Sequence, residues 1–283
     1  MPPLNSGFMA QMAKMKFLAN GIKLPIDWKD MGTQYKDAFK PEELAVPPNS
    51  PLPPFLFREV SVNKYHAETA KTIGEKFAKF IDNICQAICY SVDMWRLQAK
   101  FKDIKIMAVC AIGPPGCLDG PGIGSNIKNA PMMAGGTDQE KKYAAAVADA
   151  LEKKWKSWQD KVIVPGLPWY PAFAAFPGPM APPMPNVPMP LITCPSPMMA
   201  ELQPPSLKQA MIDSLGEKDA LHHKELFDAI ATGFSLAFLM WLPMQQIMNV
   251  MGKGPIPTFA PPFVPVGPVV NGDVLPIPGH LAV

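Results

Sequence analysis

Proline occupies 36 of the 283 positions, and each one removes a backbone donor and fixes φ. That is more than twice the usual share of ~5%, so long regular elements are confined to the intervals between prolines. From Asn63 to Lys102 there is no proline. Across that interval Ile73, Phe77, Phe80, Ile81, Ile84, Ile88, Val92 and Trp95 recur at helical spacing, opposite Lys71, Lys76, Lys79 and Asp82. This spacing predicts a long amphipathic helix.

A Gly- and Pro-rich segment from Gly113 to Gly136 then ends regular structure, and Thr137 or Asp138 followed by Glu140 is a cap signal for a second helix running to about Lys161. Its apolar stripe is Val147, Leu151, Trp155 and Trp158, against a face of Lys141, Lys142, Lys153, Lys154 and Lys156. A third helix opens near Ser206 or Asp219. There Leu226, Ile230, Phe234, Phe238 and Trp241 follow helical spacing before Pro243 breaks it.

The last two helices head a repeated unit. At a shift of 86 residues, Ala145, Trp155, Gln159, Val164, Gly166, Pro171, Phe173, Ala174, Pro179, Pro182 and Pro190 match Ala231, Trp241, Gln245, Val250, Gly252, Pro257, Phe259, Ala260, Pro265, Pro268 and Pro276, eleven identities over 46 positions. The first helix offers a looser copy, in which Trp95 precedes the apolar run Ile104, Ile106, Met107 and Val109 and then Gly113, Pro114 and Pro115. The unit reads as a helix, a tryptophan, a short strand-like run, a glycine stop and a proline-rich tail. The expected fold is therefore mainly α, a small core of three amphipathic helices closed by Trp95, Trp155, Trp158 and Trp241, with long proline-rich extended arms. The expected segments are an N-terminal arm (1–60), a first helix with its loop (61–136) and two repeat units (137–205 and 206–283).

Disordered proline-rich chains are poor in bulky apolar residues, whereas this one is 48% hydrophobic and only 18% charged, with fifteen Phe, six Trp and nineteen Met. Apolar groups spread among prolines demand partners. The anchors expected on the tails are Phe173, Phe176, Phe259 and Phe263, with Pro261 and Pro262. A net charge of +2 from 26 basic and 24 acidic residues gives no footprint for nucleic acid. Five cysteines without framework spacing, and no continuous apolar run over Met1–Lys16, argue for folding in a reducing compartment.

The motifs that could carry chemistry are incomplete. Cys85 and Cys89 share a helical face but lack a second metal-ligand pair. His222 and His223 with Glu225, and His66 with Glu68, lack a nucleophile at a recognisable spacing. The loop from Gly113 to Ser125 carries Gly116, Gly120, Gly122 and Gly124 but no phosphate-loop lysine, and Pro114, Pro115 and Pro121 remove donors from it. Phe227–Leu242 is apolar but shorter than the ~20 residues of a membrane span. No catalytic, metal or cofactor site is expected.

The run Gly252, Gly254, Pro255, Pro257, Thr258, Phe259, Ala260, Pro261, Pro262, Pro265, Gly267, Pro268 and Val269, following an apolar helix, resembles structural proteins of bacteriophages with contractile tails. The resemblance covers the last 60 residues or so and transfers no functional residue. It implies a virion subunit made in the host cytoplasm, in tail or baseplate rather than head or neck. The expected protein is non-enzymatic and a homo-oligomer, bound to other structural subunits and to neither nucleic acid nor a small-molecule substrate. The alternative is a membrane-associated protein using the apolar helix 227–242.

Overall fold

A computed structural model of the chain describes residues 2–20, 59–217, 220, 222–259 and 267–281, with side chains from Thr72 onward in the segment that opens at 59. The helices form where proline is absent. Helix α1 (Ser6–Ala19) starts at Asn5, whose side chain accepts from the Phe8 amide at 2.9 Å, and buries Met9, Ala10, Ala13 and Phe17. It lies across α2 (Glu59–Gln98) and is tied to it by a Lys14–Asp82 ion pair. After the short α3 (Gly124–Lys128), helix α4 (Asp138–Gln159) opens on a complete capping box between Thr137 and Glu140. Helix α5 (Pro204–Leu215) carries proline in its first turn, where no donor is lost, and ends at Gly216 with φ 69°. Helix α6 (His223–Trp241) is sandwiched between α1 and α5. At its crossing with α1, a Cβ on Gly233 would come within 2.6 Å of the Met9 carbonyl oxygen, so glycine permits the close approach.

Among the described residues the proline-rich segments form strands and pack on the rest of the chain. Helix makes up 53% and strand 16%, so the fold is a mixed α/β one and not a mainly α core with extended arms. Two pairs are small: β1 (Lys100–Phe101) with β4 (Leu118–Asp119), and β7 (Met189–Pro190) with β8 (Gln246–Ile247). The other six strands make one antiparallel sheet: β2 (Lys105–Met107), β3 (Cys110–Gly113), β5 (Val164–Pro168), β6 (Met180–Met184), β9 (Gly252–Pro255) and β10 (Gly272–Val274), in the order β5-β3-β2-β10-β9-β6. The prolines are tolerated because of where they fall. Pro182 and Pro183 occupy the bulge where the β6–β9 register shifts, and Pro165 and Pro255 face outward.

The sheet order contains a cyclic rule. Strands β2, β5 and β9 begin ten, nine and eleven residues after Trp95, Trp155 and Trp241 respectively, so each helix feeds one first strand. Within two repeats the first strand pairs with its own second strand, β2 with β3 and β9 with β10. Each first strand also pairs with the second strand of another repeat: β5 with β3, β2 with β10, and β9 with β6. The remaining contact, between the edge strands β5 and β6, is supplied just beyond both by the bridge Trp169–Asn186 and a 2.9 Å bond from the Val187 amide to the Pro168 carbonyl. The sheet thus closes on itself as a ring of three α-β-β repeats, and the looser first copy is a structural repeat like the other two.

The tryptophans that end the three long helices meet in the core. The Trp95 and Trp155 rings lie edge to face at 4.9 Å, with Trp241 at 6.3 Å from Trp155 and Trp158 at 5.0 Å. Trp95 donates from Nε1 to Gln159 Oε1 at 2.7 Å, and all four tryptophans are buried. This aromatic cluster is continuous with the interior of the sheet, so core is shared between helices and strands and is not confined to the helices.

Candidate assembly surface

Beyond each first strand the chain turns and then returns along the second strand. Three equivalent backbone bonds join these turns: Trp169 N to Val109 O at 2.8 Å, Ala108 N to Val269 O at 2.8 Å, and Ile256 N to Pro179 O at 3.0 Å. In each, the residue that follows a first strand donates to a carbonyl just before another repeat's second strand. The donors run from the second repeat to the first, the first to the third, and the third to the second. The three turns are therefore joined by a threefold-like set of backbone bonds, which also closes the ring.

Their composition differs from that of the rest of the chain. Residues 106–118, 162–200 and 254–272, which contain all three turns, hold no Asp, Glu, Lys, Arg or His. On leaving the turns along β2, β9 and β10, the first charges met are Lys105, Lys253 and Asp273, which stand beside one another across the strands, with Lys105 and Asp273 ion-paired. Beyond that belt the surface is ordinarily charged. Around the turns Met107 (49%), Val109 (41%), Tyr170 (45%) and Met180 (60%) are exposed, with Pro171, Pro177, Pro179 and Pro257 beside them. An exposed apolar patch bordered by a charged belt is the usual layout of a contact surface.

The anchors expected from sequence divide here. Phe173 is buried in the chain's own core against Trp169, 6.2 Å away, and so is corrected from a partner contact to a core residue. Phe176 and Phe259 are half-buried and pack on that core. Phe263, Pro261 and Pro262 lie outside the described residues. The described parts of the tails pack on each other and on the sheet, with Phe176 bridged to Gly267 and the Val269 amide bonded to the Phe173 carbonyl at 2.9 Å. The exposed set Met107, Val109, Tyr170 and Met180 was missed; its one sequence signal is the long charge-free stretches.

The other motifs resolve into structure. The glycine-rich loop wraps a carboxylate of the chain itself: Glu152 accepts from the Ile123 and Gly124 amides at 2.5 and 2.7 Å, and a Cβ on Gly122 would strike it at 2.7 Å. The five cysteines are free thiols, of which Cys110 alone is exposed. Burial pushes Cys89 and Cys194 up to about 12 and Cys117 to about 11, and Cys85 well above the ordinary thiol range, so these four are poor nucleophiles and poor metal ligands. Among the described residues no three His, Cys, Asp or Glu side chains converge on a metal-sized site. His223 is buried against Phe227 with its Nδ1 on the Ala220 carbonyl, and His222 sits in left-handed backbone at φ 58°. The side chain of His66 lies outside the described residues. A groove of about 540 Å³ between α4 and α5 mixes both signs of charge, from Asp149, Lys153, Lys154 and Asp213, and presents no converging set of groups.

Helix α6, extended to Met244, is long and apolar enough to cross a membrane by length and composition, but 67% of that window is buried inside the chain. Its apolarity is used against α1 and α5. No family model matches the chain, and neither a curated protein nor a solved structure matches it.

Proposed function

We propose that the chain is a non-enzymatic structural subunit of a contractile-tailed bacteriophage virion, placed in the tail or baseplate and held there by contacts with other structural subunits. The observation that carries this reading is the charge-free apolar surface at the turns of a body that is otherwise ordinarily charged. Such a surface costs solubility in a free monomer and repays it only when covered. The contractile-tail resemblance of the C-terminal run supplies the kind of assembly, and the closed ring supplies a rigid body suited to it.

The test is to purify particles from the source by density gradient and to quantify the chain in them by mass spectrometry against a known structural protein. A fixed, reproducible copy number per particle is expected. Absence from particles, with the chain free in the lysate or in the membrane fraction, would overturn the reading in favour of a soluble or membrane-associated protein.

A further inference from the structure

We infer that the outward face of helix α6 is a homodimer contact, in which the helix crosses its counterpart in a second copy of the chain, antiparallel, about a twofold axis beside Met240. The contact is separate from the charge-free turns and does not depend on what covers them.

Helix α6 packs its inner faces on α1 and α5, and a helix with solvent on its remaining face turns polar or charged side chains toward it. The first half of α6 does so: Asp228 and Thr232 are half-buried on the outward stripe, and Asp228 is ion-paired to Lys16 of α1 at 3.2 Å and to Lys208 of α5 at 3.3 Å. The second half does not. The same four-residue stripe continues through Leu236, Met240 and Met244, with Leu239 beside it, and these four are between 41% and 55% exposed. From Ala229 to Gly252 the sequence holds no charged residue. Ile192, exposed in the turn Leu191–Thr193 that packs on the turn Leu242–Met244, widens the patch. A helix that is apolar all round is buried all round, so this face too is covered in the working protein.

Symmetry, charge and area favour a second copy as the occupant. Leu236, Met240 and Met244 form one ridge of four-residue spacing, and two such ridges interdigitate in the commonest class of helix packing. Met240 is the midpoint of the ridge, so a twofold beside it sets Leu236 against the copy's Met244 and Met244 against the copy's Leu236, an isologous contact between side chains of similar size. A patch without charge meets its own copy without like-charge repulsion. Leu236, Leu239, Met240, Met244 and Ile192 leave on the order of 400 Å² of apolar surface open. A homodimer face of roughly 800 Å² per side that is about 65% apolar needs about 500 Å², and Pro243, exposed on the same turn as Met244, closes part of the difference. A lipid surface fits less well, because a helix lying in a membrane interface anchors Lys and Arg at the headgroups, whereas Lys16 and Lys208 are held by Asp228.

The test is sedimentation equilibrium of the purified full chain, without detergent, beside two variants at exposed sites. The parent and Tyr170→Asp, which lies at the turns, are expected to sediment at twice the chain mass, and Met240→Asp at the chain mass with an unchanged circular dichroism spectrum. A monomeric parent, a dimer that persists in Met240→Asp, or a dimer lost in Tyr170→Asp would each overturn the inference. Cross-linking keeps it testable should Met240→Asp fail to fold. With the exposed native thiol removed by Cys110→Ser, Met240→Cys is expected to form a disulfide-linked dimer under mild oxidation, and Gln209→Cys, on the exposed side of α5, is not. No linked dimer from Met240→Cys, or equal yields from the two, would contradict the twofold. A monomeric chain present in particles at a fixed copy number overturns this inference and leaves the assembly reading standing, whereas a dimeric chain absent from particles does the reverse.

Discussion

Gly166 and Gly252 stand at the same place in two repeats, yet their surroundings differ. A Cβ on Gly252 would come within 2.3 Å of Ile106 Cδ1 and 2.9 Å of the Trp169 ring, whereas one on Gly166 would meet only Cys110 Sγ at 3.4 Å. Gly252→Ala is therefore expected to cost about 1–3 kcal/mol through overpacking of the ring interior, and Gly166→Ala to stay within about 0.5 kcal/mol of the parent. Urea denaturation of the two variants separates them, and equal effects would refute the packing described for Gly252. A second residue sets the acid limit of stability. His280 is buried, accepts from the Phe101 amide at Nδ1 at 2.8 Å and stacks on the Phe101 ring. Burial lowers its pKa to about 4, below the ~6.5 of an unfolded chain. Between those values the unfolded state binds the proton and the folded state does not, so stability is complete above about pH 6.5 and falls as pH drops toward 4, by up to about 3 kcal/mol. In His280→Asn, which keeps an acceptor and cannot titrate there, that part of the pH dependence should vanish from thermal unfolding curves. An unchanged acid limb would mean that His280 is not held neutral.

Among the elements, the helices and the short strand-like run after each tryptophan were legible, and the second strands and the sheet they build were not. The stripes ending in Trp95, Trp155 and Trp241 predict three helices, and these form as α2, α4 and α6. Helix α1 was missed although Asn5 is a cap and Met9, Ala13 and Phe17 keep helical spacing, because the prolines beyond it made the whole segment read as an arm. The strands are two to five residues long and rich in Gly and Pro, as in Gly252–Pro255 and Met180–Met184, so they carry no alternation to detect. Their prolines read as polyproline because nothing local reveals a bulge or an outward-facing position; only pairing with strands up to about 170 residues away creates one. The charge-free stretches that mark the candidate surface were visible, but which residues of them stay exposed depends on that same pairing. Where the elements join, Trp155 is in ring contact with Trp95, Trp158, Phe238 and Trp241, and Trp155→Ala is expected to cost about 3–5 kcal/mol. Trp95→Phe should cost more than Trp158→Phe, since it strands the buried Gln159 Oε1, while the Trp158 indole N–H has no partner to lose. The reverse order in chemical denaturation would contradict that assignment.

At the scale of the whole molecule, three α-β-β repeats share one core and close one ring, and the described residues of the turns between first and second strands carry no charge. Two of the repeats were visible as an 86-residue shift. The third was blurred because its first strand turns straight into its second through Ala108 and Val109, where the other two insert long proline-rich loops. The three turns come together in this layout, joined by the bonds from Trp169, Ala108 and Ile256. The central claim is the cyclic closure, and it is tested most directly by residue-resolved amide hydrogen exchange of the free chain. The amides of Ala108, Trp169 and Ile256 make the three equivalent bonds, so their protection factors should agree within about tenfold and approach that of the core, because none opens without breaking the ring. If any one of the three exchanges at the rate of an open loop while the other two remain protected, the ring is not closed and the threefold account fails.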